Sequence, residues 1–302
     1  MKLSTSVGRI WRAYGLEEID IYAALRRCGF ACADYDFDTS ERASWSDADA
    51  ARWGRDLRSR MLDVGMEPVI AHISSKQPFE EAASVAQAVR CAGGMGIKNA
   101  VIPLGARPNN SRAEYEQANC AYLRKLLEAA EDADVTLLIE HCGAWHIPHY
   151  THNSMELIYM MEKLNSPSRL RANLNIAHLG IAELQPCPEI SLLGPFIANV
   201  DAADNFGGMP LAVHPEREEL GLAPMMGYID YDRVMQGLKS INYDGIFNLR
   251  MDMPRVFEKH SPYCTDALLG IMPREFTERL TIWSRHLCEH MLATYGFAGG
   301  VV

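Results

Sequence analysis

Short, apolar, β-branched runs alternate with helix-type patterns along the whole chain, and this pulse narrows the fold more than any other feature. Candidate strands fall at residues 2–6, 31–37, 67–74, 99–105, 135–142, 171–178, 196–204 and 245–253. Between them, Ser46-Asp47 opens a helix that runs to residue 63, with Gly65 as its stop signal. A second helical pattern, 77–91, ends at Gly93-Gly94. A third, 111–131, carries Tyr115, Ala118, Tyr122, Leu126 and Ala129 at the i, i+3/i+4 spacing of one buried face. Helices at 151–164, 230–240 and 273–295 complete the set. Eight βα units in 302 residues match a single α/β domain, a (β/α)8 TIM barrel spanning 1–302, whose usual size is about 250 residues. A doubly wound sheet would usually place a Gly-rich turn after its first strand, where this chain has Ser6-Val7-Gly8-Arg9-Ile10-Trp11. Two long loops, 205–228 and 253–272, leave the carboxyl ends of strands 7 and 8, where barrel enzymes build their sites.

Charge and composition remove other classes. With 29 Lys+Arg against 39 Asp+Glu the net charge is −10, which argues against nucleic-acid or acidic-membrane partners, since those demand basic patches. No apolar run approaches the ~20 residues that span a bilayer, and the start lacks the h-region of a signal peptide. The reading is therefore a cytoplasmic protein. Its eight cysteines are scattered without a Cys-x-x-Cys pair, as reduced thiols in packed positions are.

Alternate residues of a barrel strand face the interior. Thr136, Leu138 and Glu140 then share one face of strand 5, with His141 turned toward the helices or the loop. Arg171, Asn173 and Asn175 share a face of strand 6, Asn199, Asp201 and Ala203 of strand 7, and Asn248, Arg250 and Asp252 of strand 8. Four neighbouring strands thus bring polar groups to one face, and buried polar groups are costly unless paired. Either they build a polar site at the barrel mouth, or the parity is shifted by one and they face the helix layer.

The segments Leu137-Leu138-Ile139-Glu140-His141, Leu174-Asn175-Ile176-Ala177-His178, Asn199-Val200-Asp201-Ala202-Ala203-Asp204-Asn205 and Tyr243-Asp244-Gly245-Ile246-Phe247-Asn248-Leu249-Arg250 resemble the signature strands of the xylose isomerase-like TIM barrels, the sugar phosphate isomerase/epimerase family. The resemblance implies a divalent metal held by a Glu, an Asp, a His and a second Glu at the strand ends. Glu140 matches the first; Asn175, Asp201 and Arg250 stand at the other three, and His178 is retained three residues after Asn175. Glu140, Asp201 and the Asn175 carbonyl would form an oxygen set suited to Mg²⁺ or Mn²⁺. Arg250 aimed at the same point would oppose such an ion by several kcal/mol on the ~332/(εr) rule, and would instead pair with Asp201 and Glu140. A metal-free site is slightly favoured over a metal site.

The resemblance implies proton abstraction next to a carbonyl of a sugar or polyol, as in isomerases and epimerases. Arg250 cannot take a proton, which leaves Glu140 as base, His178 as acid or base and Arg250 stabilising a developing enediolate. That set also suits a lyase or dehydratase acting on a keto-sugar or glycoside. A third reading is a non-catalytic sugar-binding or regulatory subunit. A homo-oligomer is expected, with a hetero-oligomer as the alternative. His141, His146, His149 and His152 crowd past Glu140; with Trp145 they either line the mouth or cap the following helix. Expected substrate contacts are His72, His141, Trp145, His146 and Asn248, with His72 alternatively a satisfied core histidine. Asp34 and Asp36 would bind hydroxyls or pair with Arg9 or Arg12. Met225, Met226 and 251–253 would touch an apolar aglycone or fill packing gaps.

Overall fold

The computed structural model describes residues 1–12, 14–39, 46–141, 150–166, 168–205, 207, 221–251 and 273–297. Its eight strands close into one parallel barrel in sequence order. They are β1 (Lys2–Thr5), β2 (Cys32–Asp38), β3 (Glu67–Ser74), β4 (Asn99–Val101), β5 (Thr136–Glu140), β6 (Leu170–Asn175), β7 (Ile197–Ala202) and β8 (Ile246–Leu249). β8 returns to β1, pairing Lys2 with Ile246 through Thr5 with Leu249. The outer layer comprises α1 (Gly8–Arg12), α2 (Glu18–Arg27), α3 (Asp47–Asp63), α4 (Ala82–Gly94) and α5 (Arg112–Ala133). It continues with α6 (Ser154–Leu164), α7 (Ile176–Ile181), α8 (Pro186–Leu193), α9 (Tyr231–Ser240) and α10 (Arg274–Thr294). None of these helices is long and apolar enough to cross a membrane.

Local chemistry sets the boundaries. Ser46 accepts the Asp49 N–H at the start of α3, Ser111 and Glu114 form a reciprocal capping box at α5, and Asp230 accepts the Arg233 N–H at α9. Several elements differ from expectation: β4 ends at Val101 and β8 at Leu249, short of the expected 105 and 253, and α1, α2, α7 and α8 are not among the expected helices. α4 starts at Ala82 because residues 77–81 form a turn tied back to the sheet, with Glu81 accepting the Thr39 and Ser75 hydroxyls. The sixth strand stops at Asn175 instead of running to 178, because the Asn175 side chain accepts the His178 N–H and opens α7. His178 therefore sits in the first turn of a helix that begins at the barrel rim.

The barrel sorts its residues by parity. Tyr35, Phe37, Ile102, Leu137, Ile139, Leu174, Val200, Phe247 and Leu249 join the main core beneath the helices. The barrel interior holds a small separate apolar cluster of Ile70, Val101 and Leu138, with Val69, Ala198 and Ile246 against it. Register shifts let β3 pass Val69 between Pro68 and Ile70, and β7 pass Ala198 between Ile197 and Asn199. Each bulge reverses the parity below it, so Asp34 pairs with Ile70 and Asn173 with Asn199. Above the bulges, Asp34, Asp36, His72, Glu140, Asn173, Asp201, Asn248 and Arg250 all follow the inward phase.

The α3–α4 contact leaves no room for side chains at two points. A Cβ on Gly54 would lie 2.2 Å from the Cys91 carbonyl oxygen, and one on Gly94 2.3 Å from that of Ala51. Gly54→Ala is expected to cost about 1–3 kcal/mol of stability, read as a lowered urea midpoint with an unchanged slope; an unchanged midpoint would show that the helices can separate freely.

Candidate active site

The polar residues inside the barrel form two tiers. The lower is centred on Asp201, 1% exposed. Its Oδ1 accepts Asn199 Nδ2 at 2.9 Å and Asn248 Nδ2 at 2.9 Å. Its Oδ2 accepts Asn173 Nδ2 at 2.7 Å and faces His72 Nε2 at 2.7 Å. His72 reaches across the barrel, with Nδ1 2.7 Å from Asp34 Oδ2. That Asp34 oxygen also accepts Asn248 Nδ2 at 3.1 Å and Arg250 Nη1 at 2.7 Å. Asn199 Nδ2 further donates to Asn173 Oδ1 at 2.6 Å, which orients the Asn173 amide.

The upper tier is the part that solvent reaches. Side-chain exposure is 24% for Glu140, 14% for His178, 28% for Arg250 and 22% for Asp36, against zero for Asp34 and Asn248. Any ligand entering the mouth meets the first four before the floor. Glu140 Oε2 accepts Asn173 Nδ2 at 2.6 Å, with Asn175 Nδ2 at 3.5 Å. Glu140 Oε1 lies 4.0 Å from His178 Nδ1. His178 Nδ1 donates to the His141 carbonyl at 2.6 Å; because a carbonyl only accepts, the hydrogen is on Nδ1 and neutral His178 carries its lone pair on Nε2. Arg250 Nη1 also reaches Asp36 Oδ1 at 3.3 Å, and Arg12 Nη2 lies 3.4 Å from Asp36 Oδ2.

The charges adjust to one another. Burial and the Arg250 charge oppose protonation of His72, but Asp201 and Asp34 outweigh them and lift its pKa to about 10. Burial works against ionised Asp201, yet His72, Arg250 and the Asn248 amide hold its carboxyl far below the usual range. Asp36 is lowered too, against its burial, chiefly by Arg250. His141 behaves oppositely: burial and the neighbouring His178 push its pKa down to about 3, so it is a neutral side chain.

Several expected positions change role. Arg250 forms its ion pairs with Asp34 and Asp36 across β1, in place of the expected Asp201 and Glu140. The reason is charge balance: His72 already sits on Asp201. Asn248 is fully buried in the floor, where its amide holds two carboxylates instead of a ligand hydroxyl. His141 is likewise buried and turns outward to Ser154 Oγ at 3.3 Å, so only its carbonyl serves the site. His72 is a floor residue, at 8% exposure. Arg171 lies at the opposite end of the barrel, donating to the carbonyls of Pro195, Phe196 and Ile197. His152 lies beside the α6 cap, its N–H donated to Glu156. Met225 and Met226 are exposed while Met251 is buried. Trp145, His146, His149, Asp252, Met253 and the loops at 208–220 and 253–272 lie outside the described residues, as does the Arg9 side chain. The functional pairing missed by sequence reasoning is Asn173 with Glu140; its signal was the inward parity of two adjacent strand ends.

A divalent ion needs carboxylate lone pairs that no donor has taken. Asp201 meets four N–H groups on its two oxygens, Asn175 Oδ1 accepts the His178 N–H, and Arg250 brings a fixed positive charge. The set Glu140, Asn175, Asp201 and Arg250 therefore does not fit the metal that the resemblance implies. Asp34, Asp36 and His72 do bring one ligand-type atom each within 4.8 Å of one another, a spacing that suits a cation, but Arg250 Nη1 already bridges the two carboxylates.

The xylose isomerase-like TIM barrel family matches residues 22–267, and the chain belongs to that family. Among solved structures, a D-tagatose 3-epimerase-like protein superposes with a TM-score of 0.70 at 16% identity, covering 98% of both chains. D-psicose 3-epimerase from Clostridium cellulolyticum H10, solved with D-tagatose, gives 0.72 at 11% identity over 97% of this chain and 99% of that one. The IOLI protein, solved with a bound zinc atom, gives 0.69 at 13% identity over 98% and 99%. No curated protein sequence matches the chain.

The raised His72 pKa fixes a pH dependence. Its contribution to stability is complete below the ordinary histidine pKa of ~6.5 and is lost as pH rises through its folded value of about 10. His72→Gln is expected to lower stability near neutral pH by ~3 kcal/mol, since breaking a buried pair strands its partner, and to flatten the decline above pH ~7. Urea melts of both proteins across that window check this; parallel curves would mean that His72 folds uncharged.

Proposed function

We propose that the chain is an enzyme that removes a proton next to the carbonyl of an unphosphorylated sugar or polyol derivative. The observation that carries this reading is the solvent-reached pair of Glu140 and His178, set over a floor in which Asp201 accepts or faces four N–H groups. Family membership and the sugar epimerases among its fold relatives support the substrate class.

In this reading Glu140 takes the proton from carbon, and the C–H electron pair moves into the carbonyl to give an enediolate. Asn173 donates to Glu140 and holds its carboxylate toward the mouth. Arg250 supplies positive charge on the opposite wall, where preorganised charge lowers the cost of the developing oxyanion. In its imidazolium form, protonated by solvent at Nε2 as well as Nδ1, His178 gives the Nε2 proton to the enediolate, at oxygen or at carbon. Glu140 keeps the proton it took until it returns it to solvent. The two proton-handling groups are chemically different, so exchange on the two faces of the carbon is unequal. That asymmetry favours isomerisation or elimination over symmetric epimerisation, and a lyase on a keto-sugar or glycoside is the second reading.

Sugars incubated with the protein in D₂O should gain deuterium at the carbon beside the carbonyl, followed by NMR; loss of water or of an aglycone in the same spectra would select the lyase reading. Glu140→Gln should slow incorporation by about 10²–10⁴-fold, the usual contribution of a general base, with an unchanged melting temperature. Undiminished exchange in that variant would remove Glu140 from the chemistry.

A further inference from the structure

We propose that His72 and Arg250 together take the electrostatic place of a divalent metal, so that the centre of this barrel is completed by an imidazolium and a guanidinium of the chain itself. The inference concerns the resting protein and stands whether or not Glu140 turns over a sugar.

Both ring nitrogens of His72 face carboxylate oxygens. Its Nε2 is hydrogen-bonded to Asp201 Oδ2 at 2.7 Å, and its Nδ1 lies at ion-pair distance, 2.7 Å, from Asp34 Oδ2 without hydrogen-bond alignment. A ring nitrogen presenting a lone pair would be repelled by an oxygen lone pair at that distance, so each nitrogen carries a hydrogen unless the facing oxygen does. Both oxygens already accept hydrogen bonds from side-chain N–H groups, which favours the ionised carboxylates. Asp201 Oδ2 also receives Asn173 Nδ2, and Asp34 Oδ2 receives both Arg250 Nη1 and Asn248 Nδ2. Two hydrogens on the ring make it a cation. The three amides around it are oriented by the same bookkeeping: Asn173, Asn199 and Asn248 all turn their NH₂ groups to Asp201, as they must toward an acceptor that has only lone pairs.

Arg250 completes the arrangement from β8. It spans Asp34 and Asp36, two of the three residues whose spacing would otherwise suit a cation, and it cannot discharge by losing a proton. A divalent ion entering there would have to expel the guanidinium and strip a hydrogen from His72. Each of these three carboxylates thus faces a cation built into the chain: Asp201 faces His72, Asp34 faces His72 and Arg250, and Asp36 faces Arg250 and Arg12.

Two measurements on the full-length protein test this, neither of which needs a substrate. In ¹⁵N-labelled protein at about pH 8, above the ordinary histidine pKa of ~6.5, His72 should show two protonated ring nitrogens; the signal that vanishes in His72→Gln assigns it. A single ring N–H with one lone-pair nitrogen would overturn the His72 half. Titration calorimetry with Mn²⁺ or Zn²⁺ alone should detect no site involving the barrel floor in the wild type. Arg250→Glu, which removes the guanidinium and adds a carboxylate, should tighten Mn²⁺ binding by about 100-fold or more, on the Coulomb scale for adjacent charges. One equivalent of metal retained by the wild type after chelator dialysis and released by Asp34→Asn would overturn the Arg250 half, as would an equal Mn²⁺ affinity in a folded Arg250→Glu variant. If that variant does not fold, retention or loss of metal by the wild type decides the question.

Discussion

A carboxylate sealed on the axis of a β-barrel must be matched donor for donor, and Asp201 is matched. Two backbone-anchored amides on one oxygen, an amide and an imidazole on the other, use the lone pairs that water would have used. Unpaired, a charge in that position would cost many times the stability of a domain or would neutralise itself. The consequences run outward. Asn173 holds Asp201 with one hydrogen and Glu140 with the other, so the floor sets the direction of the Glu140 carboxylate. His72 carries the same constraint across the barrel to Asp34, and Asp34 fixes Arg250.

The register of the sheet makes this matching reachable. Without the extra residue at Val69 the inward phase of β3 would be reversed relative to β2, and His72 would face the helices. Without Ala198 the same would befall Asp201 opposite Asn175. Both irregularities lie toward the amino ends of their strands. The apolar residues Val69 and Ala198 then fall to the lower interior beside Ile70, Val101 and Leu138, and the upper interior is left to polar groups. A small apolar plug below and a hydrogen-bonded polar floor above divide the barrel interior into two layers.

That division explains what could be read from the letters. Phase counted from the carboxyl ends of strands lies above both bulges, so Glu140, Asn173, Asn175, Asn199, Asp201, Asn248 and Arg250 could be placed on one face from sequence. Their partners could not. Arg250 and Asp34 are separated by 216 positions, and they meet because β1 between them presents only the small Ser4 at the level of Asn248. Nothing in the order of residues says that β1 is narrow enough to reach across. The placement of His178 on a helix was hidden differently: Asn175 continues an alternating strand pattern, and only the bond that its side chain accepts from the His178 N–H shows that the strand has ended and a helix begun.

The two tiers also differ in how they answer a change of protonation. In the floor each group is locked by several partners, so a proton gained or lost breaks bonds on more than one strand. In the upper tier the constraint is directional. The His141 carbonyl fixes which nitrogen of His178 bears hydrogen, and the His141 ring, kept neutral by burial, adds no charge against protonation of its neighbour. A proton placed at Nε2 would therefore leave intact the hydrogen bond that positions His178. The proton transfer proposed for this site would draw on the rigid floor below and on a directionally held imidazole above, with the helix cap at Asn175 beside them.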